Sequence, residues 1–160
     1  QAAYLVRTYL SHLYYGAKKV FWYEMADEPF GPNNPESFFG ILRFNESLSV
    51  KPSAVAFSNM VNNYRHAIPV GKYVGQSYGF AYDNQGKNQL CLWTEKDSKE
   101  ETLYLPNTKK VNVIDIFGRV QQLKVLNGKV VITIGYLPIT ITGFDQDDFT
   151  GLYTPRKVVK

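Results

Sequence analysis

Over residues 2–15 apolar side chains recur at three- and four-residue spacing. Leu5, Tyr9 and Leu13 with Val6 and Leu10 form one stripe, while Arg7, Ser11 and His12 fall largely off it. This spacing predicts an amphipathic helix. Gly16 supplies the left-handed position on which helices end, and Lys18-Lys19 complement the negative end of the dipole. The period then changes. Residues 20–25, Val-Phe-Trp-Tyr-Glu-Met, have the length and residue types of a buried strand. Glu24, Asp27 and Glu28 close the run, with Pro29 and Gly31 just beyond, as in a strand opening onto a polar site. Alternation along a strand would set Phe21 and Tyr23 on one face and Trp22 and Glu24 on the other. Residues 29–50 are rich in Pro, Gly and Asn and predict a long loop carrying the aromatic cluster Phe38-Phe39-Gly40-Ile41-Leu42. Loops of this length in compact domains usually serve function. Lys51-Pro52 opens a second helix with proline in its first turn. Ala54, Phe57, Met60, Val61 and Tyr64 would make its apolar face, and Pro69-Val70-Gly71 closes it.

From Tyr73 onward the period becomes two. Residues 78–82 and 89–94 flank Asp83-Asn84-Gln85-Gly86, a hairpin turn. Short strands follow at 103–105, 111–117, 121–126 and 130–134, with Asn127-Gly128 as a strong hairpin turn between the last two. Pro138 makes 139–142 read as an edge or bulged strand. So many short strands in so short a stretch suggest a small antiparallel β-sandwich. The pattern thus divides the chain into an α-β-α portion over residues 1–70, a β-sandwich over 71–145 and an exposed tail over 146–160.

Composition narrows the function classes. The 160 residues include 12 Tyr and 10 Phe against 2 Met, a balance that favours β-rich packing and aromatic-lined surfaces. The formal charge of +4 is spread thinly, so no basic stripe points to nucleic acid. Cys91 is the single cysteine and reads as a buried, inert thiol. No apolar run is long enough to span a bilayer. His12 and His66 have no second ligand at zinc spacing, and Asp145-Gln146-Asp147-Asp148 lacks the glycine and terminal glutamate of a calcium loop. No metal or other cofactor is therefore expected. The chain opens at Gln1 in a helical pattern without a cap, and it is expected to begin inside a longer polypeptide.

The order is helix, aromatic strand ending in acids, long loop, proline-started helix, then sandwich. Its residues include Ala2-Ala3-Tyr4-Leu5-Val6-Arg7 with Gly16, Val20-Phe21-Trp22-Tyr23, Phe39-Gly40-Ile41-Leu42 and Lys51-Pro52-Ser53-Ala54. With Leu92-Trp93-Thr94, Val113-Ile114-Asp115 and Leu137-Pro138-Ile139, they resemble the C-terminal end of clan A glycoside hydrolases, in particular the family-39-like members. The resemblance extends to about residue 144. It implies an α/β plus all-β fold: the last αβα elements of a (β/α)₈ TIM barrel followed by an accessory sandwich. It also implies retaining hydrolysis by two carboxyl groups about 5 Å apart. These would lie on the fourth and seventh barrel strands, upstream of this chain. Asn45-Glu46 looks like the clan's acid/base pair but falls after the eighth strand, so the role is not carried over.

By this resemblance Trp22 matches the tryptophan that floors the sugar subsite, since aromatic faces suit the C–H groups of pyranose rings. Glu24 shares its parity and is placed to accept hydrogen bonds from sugar hydroxyls. Asp27 stands between substrate contact and loop capping. The expected partners are a carbohydrate substrate and the upstream barrel, with the chain inactive alone. An extracellular or periplasmic location follows from the substrate class. The competing reading is a non-catalytic carbohydrate-binding or structural surface protein.

Overall fold

The computed structural model describes residues 1–31 and 33–157. Helix α1 (Ala2–Tyr14) buries Leu5, Val6 and Leu10 of the anticipated stripe and also Ala3, with Tyr9 and Leu13 half-buried, and the chain turns at Gly16 with φ 98°. Helix α2 (Pro52–Tyr64) starts on its proline and packs against α1 through Ala56, Met60 and Tyr64. Val61, counted on the apolar face from spacing, is exposed instead.

Between the helices, residues 20–25 belong to no sheet and bend at Tyr23 and Met25; the bridge nearby is parallel, Ala26 with Leu42. The expected strand therefore lacks a ladder, because a strand needs neighbours to take its backbone groups. The alternation itself is present: Phe21, Tyr23 and Met25 are 87%, 58% and 71% exposed, while Trp22, Glu24 and Ala26 are half-buried.

The rest of the chain is mostly antiparallel sheet. The strands are β1 (Ile68–Tyr73), β2 (Tyr78–Asn84), β3 (Lys87–Trp93), β4 (Lys99–Tyr104), β5 (Lys110–Asp115), β6 (Val120–Lys124), β7 (Lys129–Ile134), β8 (Ile139–Thr142) and β9 (Tyr153–Pro155). Seven of them form one sheet in the order β6-β5-β8-β3-β2-β1-β9, and β4 pairs with β7 in a second, smaller sheet. Three layers result. Ala81, Leu90 and Leu92 face the β4–β7 sheet, with Leu103, Val130, Ile132 and Ile134 opposite them. Phe80, Tyr82, Cys91 and Trp93 face the other way and are covered by Leu5, Val6, Leu10, Met60 and Tyr64 of the helices. The uninterrupted apolar run of β3 follows from this, since both its faces are buried.

Polar contacts tie the helices to the sheet. Tyr82 Oη donates to Leu10 O at 2.8 Å, and Tyr64 Oη bonds Thr140 Oγ1 at 2.7 Å. Arg7 lies 4.0 Å over the Tyr136 ring and donates to the carbonyls of Thr94 (2.9 Å) and Tyr136. Burial pushes the Cys91 thiol up to about 12, consistent with an unreactive core residue.

Three expectations change. Strand β8 is central, paired with β3 and β5, not an edge; Pro138 sits before its first rung, so it removes no ladder donor. Asn127-Gly128 does turn tightly, with φ 51° and 70°, but β6 and β7 leave it for different sheets. The segment after residue 145 is not an exposed tail. Helix α3 (Gln146–Thr150) buries Asp148 and Phe149, and β9 extends the large sheet on β1. Of the expected tail, residues 158–160 lie outside the described ones.

Candidate functional site

The candidate site is the acidic end of the aromatic segment with the loop that folds over it. The loop is seated by backbone pairing: Leu42 N donates to Met25 O and Asp27 N to Leu42 O, both at 2.9 Å. Gly40 is required here, because a Cβ at that position would lie 2.1 Å from Asp27 N. A short 3₁₀ turn (Pro35–Phe38), capped by the Asn34 side chain, then carries Phe38 and Phe39 to the surface.

Trp22 faces the helices. Its indole N–H donates to Phe39 O at 3.2 Å, and its ring packs at the edge of the cluster that holds Tyr9, Ile41 and Phe57. The open face belongs to the opposite parity, where Tyr23 meets Phe39 edge-to-face at 6.4 Å. Which of the two faces meets the helices is set by the helices' placement, and periodicity carries no such information. The peptide bond joining Tyr23 to Glu24 is cis.

Glu24 is half-buried, and its Oε1 atom has no hydrogen-bond partner. Desolvation and the neighbouring Glu28 carboxyl push it above the usual glutamate range, with Asp27 adding to the push and the Tyr23 hydroxyl opposing it. Desolvation, and then the carboxylates of Glu24, Glu28 and Glu36, raise the Tyr23 phenol. A carboxyl whose folded-state midpoint is raised favours the folded segment at low pH and loses that contribution as pH rises through the raised midpoint. In a carbon-detected NMR titration Glu24 is expected to titrate above the ordinary value of about 4.3. Glu28→Gln should move that midpoint down, because it removes the adjacent charge. A Glu24 midpoint indifferent to Glu28 would discard the coupling.

Asp27 is turned inward and buried. Its Oδ1 accepts from Lys51 Nζ at 2.5 Å, with side-chain exposures of 10% and 13%. Lys51 was missed by sequence reasoning, although one oddity marked it. It is the residue on which α2 begins, and a cation there opposes the helix dipole. The pair lines a shallow depression at the acidic end together with Glu28, Pro29, Phe38, Arg43 and Phe44. Among the described residues no group of three or more His, Cys, Asp or Glu side chains is placed to hold a metal ion. No described helix is long and apolar enough to cross a membrane.

The arrangement can present rings and acceptors to a polyhydroxylated ligand. Its acids Glu24, Asp27 and Glu28 lie on one segment, with Glu36 of the 3₁₀ turn near enough to act on the Tyr23 phenol.

No family model and no curated protein sequence matches the chain. Among solved structures it is similar to a family 39 glycoside hydrolase from the gut symbiont Bacteroides cellulosilyticus WH2. The two are 28% identical with a TM-score of 0.78, over 89% of this chain and 30% of that one. The chain thus spans less than a third of that hydrolase's length. Its helix–aromatic segment–loop–helix portion followed by antiparallel sheets is a glycoside-hydrolase-like C-terminal fold, matching a barrel-plus-sandwich architecture.

Proposed function

We propose that this chain is the C-terminal portion of a retaining glycoside hydrolase acting on a polysaccharide or glycoside. In this reading it supplies one wall of the sugar-binding cleft. The observation that carries the reading is the likeness to a glycoside hydrolase over 89% of the chain, at 28% identity. The aromatic segment supports it. Residues 20–25 pair with no strand, and three large apolar side chains, Phe21, Tyr23 and Met25, are exposed along them. Upstream barrel strands would satisfy that backbone and leave the acidic end at a cleft mouth.

Retention requires an acid/base and a nucleophile about 5–5.5 Å apart. Both are assigned to the upstream sequence, on the fourth and seventh strands. The residues here bind and orient. Tyr23 offers a ring face, and Glu24 offers a carboxyl able to hydrogen-bond to sugar hydroxyls. In this reading Trp22 and Asp27 support them from behind, Trp22 through its bond to Phe39 O and Asp27 through its bond to Lys51. A polysaccharide substrate puts the enzyme outside the cytoplasm.

The test compares this chain with the protein extended upstream, on a panel of polysaccharides and 4-nitrophenyl glycosides, following product anomers by proton NMR. The chain alone is expected to hydrolyse nothing, and the extended protein to release product with retained configuration. An inactive extended protein, or one without two glutamates at those strand ends, would end the enzyme reading.

A further inference from the structure

Three consecutive carbonyls, those of Phe38, Phe39 and Gly40, are gripped by side-chain donors from three separate elements. Gln1 Nε2 donates to Phe39 O at 2.8 Å and to Gly40 O at 2.9 Å, and Trp22 Nε1 reaches Phe39 O from the aromatic segment. Lys51 Nζ, at the start of α2, donates to Phe38 O at 3.1 Å and Gly40 O at 2.9 Å while pairing with Asp27. All three ammonium protons of Lys51 are thereby used. Gln1 is itself held, its Oε1 accepting from Ser53 Oγ at 2.8 Å.

This geometry has a direction. With their carbonyls drawn inward, Phe38 and Phe39 are left 55% and 42% exposed on the open side, where Phe39 abuts Tyr23. The next residue, Ile41, donates its N–H to Glu24 O and Met25 O at 3.2 and 3.1 Å, so the position of the loop also sets the register of Glu24. A buried cation at a helix N-terminus is unfavourable unless something specific compensates it. Here the compensation is one carboxylate and two of those three carbonyls.

We propose that Lys51 and Asp27 are positioning residues for substrate binding: their ion pair fixes the aromatic loop and Tyr23–Glu24 as one preformed wall against which the sugar lies. The inference rests on the hydrolase reading. It goes beyond that reading by assigning the shape of the wall, and so substrate affinity, to a pair that acts through the loop it holds. Preorganised contacts of this kind act on binding, because a loose wall must be ordered at the moment of association.

The experiment uses the upstream-extended protein with Lys51→Met, Asp27→Asn, the double variant and the conservative Lys51→Arg. Amide hydrogen exchange at Asp27, Ile41 and Leu42 reads the loop. KM and kcat are read with the 4-nitrophenyl glycoside that the wild type hydrolyses fastest among common pyranosides. In Lys51→Met and Asp27→Asn, exchange should quicken about tenfold and KM should rise about tenfold, with kcat within threefold of wild type. The double variant should be no worse than either single one, and Lys51→Arg should recover part of the KM. Unchanged exchange overturns the proposal. Faster exchange with unaltered KM also overturns it, because the pair would then only anchor a loop, and so does a fall in kcat at constant KM. A wild type that hydrolyses nothing defeats the hydrolase reading; exchange alone then decides whether the pair sets the wall.

Discussion

Alanine in place of Asp148 is expected to lower the unfolding free energy by about 3–5 kcal/mol and the melting temperature by roughly 6–20 °C. Asp148 is 5% exposed. It accepts from Asn107 N (3.0 Å), Asn107 Nδ2 (3.0 Å), Thr108 N (2.7 Å) and Thr108 Oγ1 (2.7 Å). Thr108 Oγ1 in turn accepts from Asp145 N at 2.9 Å, closing the network onto the start of α3. Truncation strands the buried N–H and Oγ1 donors of Thr108 beside the sandwich core, each costing about 1–3 kcal/mol when left unpaired. Asparagine should cost less, because one acceptor oxygen survives. Urea unfolding followed by circular dichroism gives the numbers. A loss within 0.5 kcal/mol of zero for Asp148→Ala, well under the cost of even one stranded donor, would show that the loop does not depend on this carboxylate.

The same residue shows where sequence reading stops. Four polar residues in a row, Asp145 to Asp148, look solvated, and nothing local says that the last of them turns inward. The signal was downstream: Phe149, Leu152 and Tyr153 are spaced to reach one core, and they do. Helices α1 and α2 and the β2–β3 hairpin were legible because period and turn chemistry are local properties. The Asn127-Gly128 turn was legible for the same reason, but its strands' partners are set by distant residues. Asp27 and Lys51 lie 24 positions apart, and their pairing has no periodic trace. At residues 20–25 alternation gave two faces correctly. Choosing the face that meets the helices required the helices in place.

A polypeptide cut to residues 72–145 is expected not to fold. The chain reads as two organisations meeting near residue 70, yet the cut falls inside β1 and removes β9, Phe149 and Leu152. More costly still, it uncovers Phe80, Tyr82, Cys91 and Trp93 together, a face that α1 and α2 otherwise cover. Burying a large apolar side chain is worth about 1.5–3 kcal/mol, so Phe80, Tyr82 and Trp93 alone represent roughly 4–9 kcal/mol. That is comparable to the entire stability of an ordinary domain, about 5–15 kcal/mol. Tyr82 would also lose Leu10 O as the acceptor of its buried hydroxyl. Circular dichroism should show no cooperative thermal transition for the excised piece, and sedimentation should show association through the bared face. A monomer of residues 72–145 that melts cooperatively would mean that the helices merely rest on a self-sufficient sandwich. Their core would then belong to the barrel side alone.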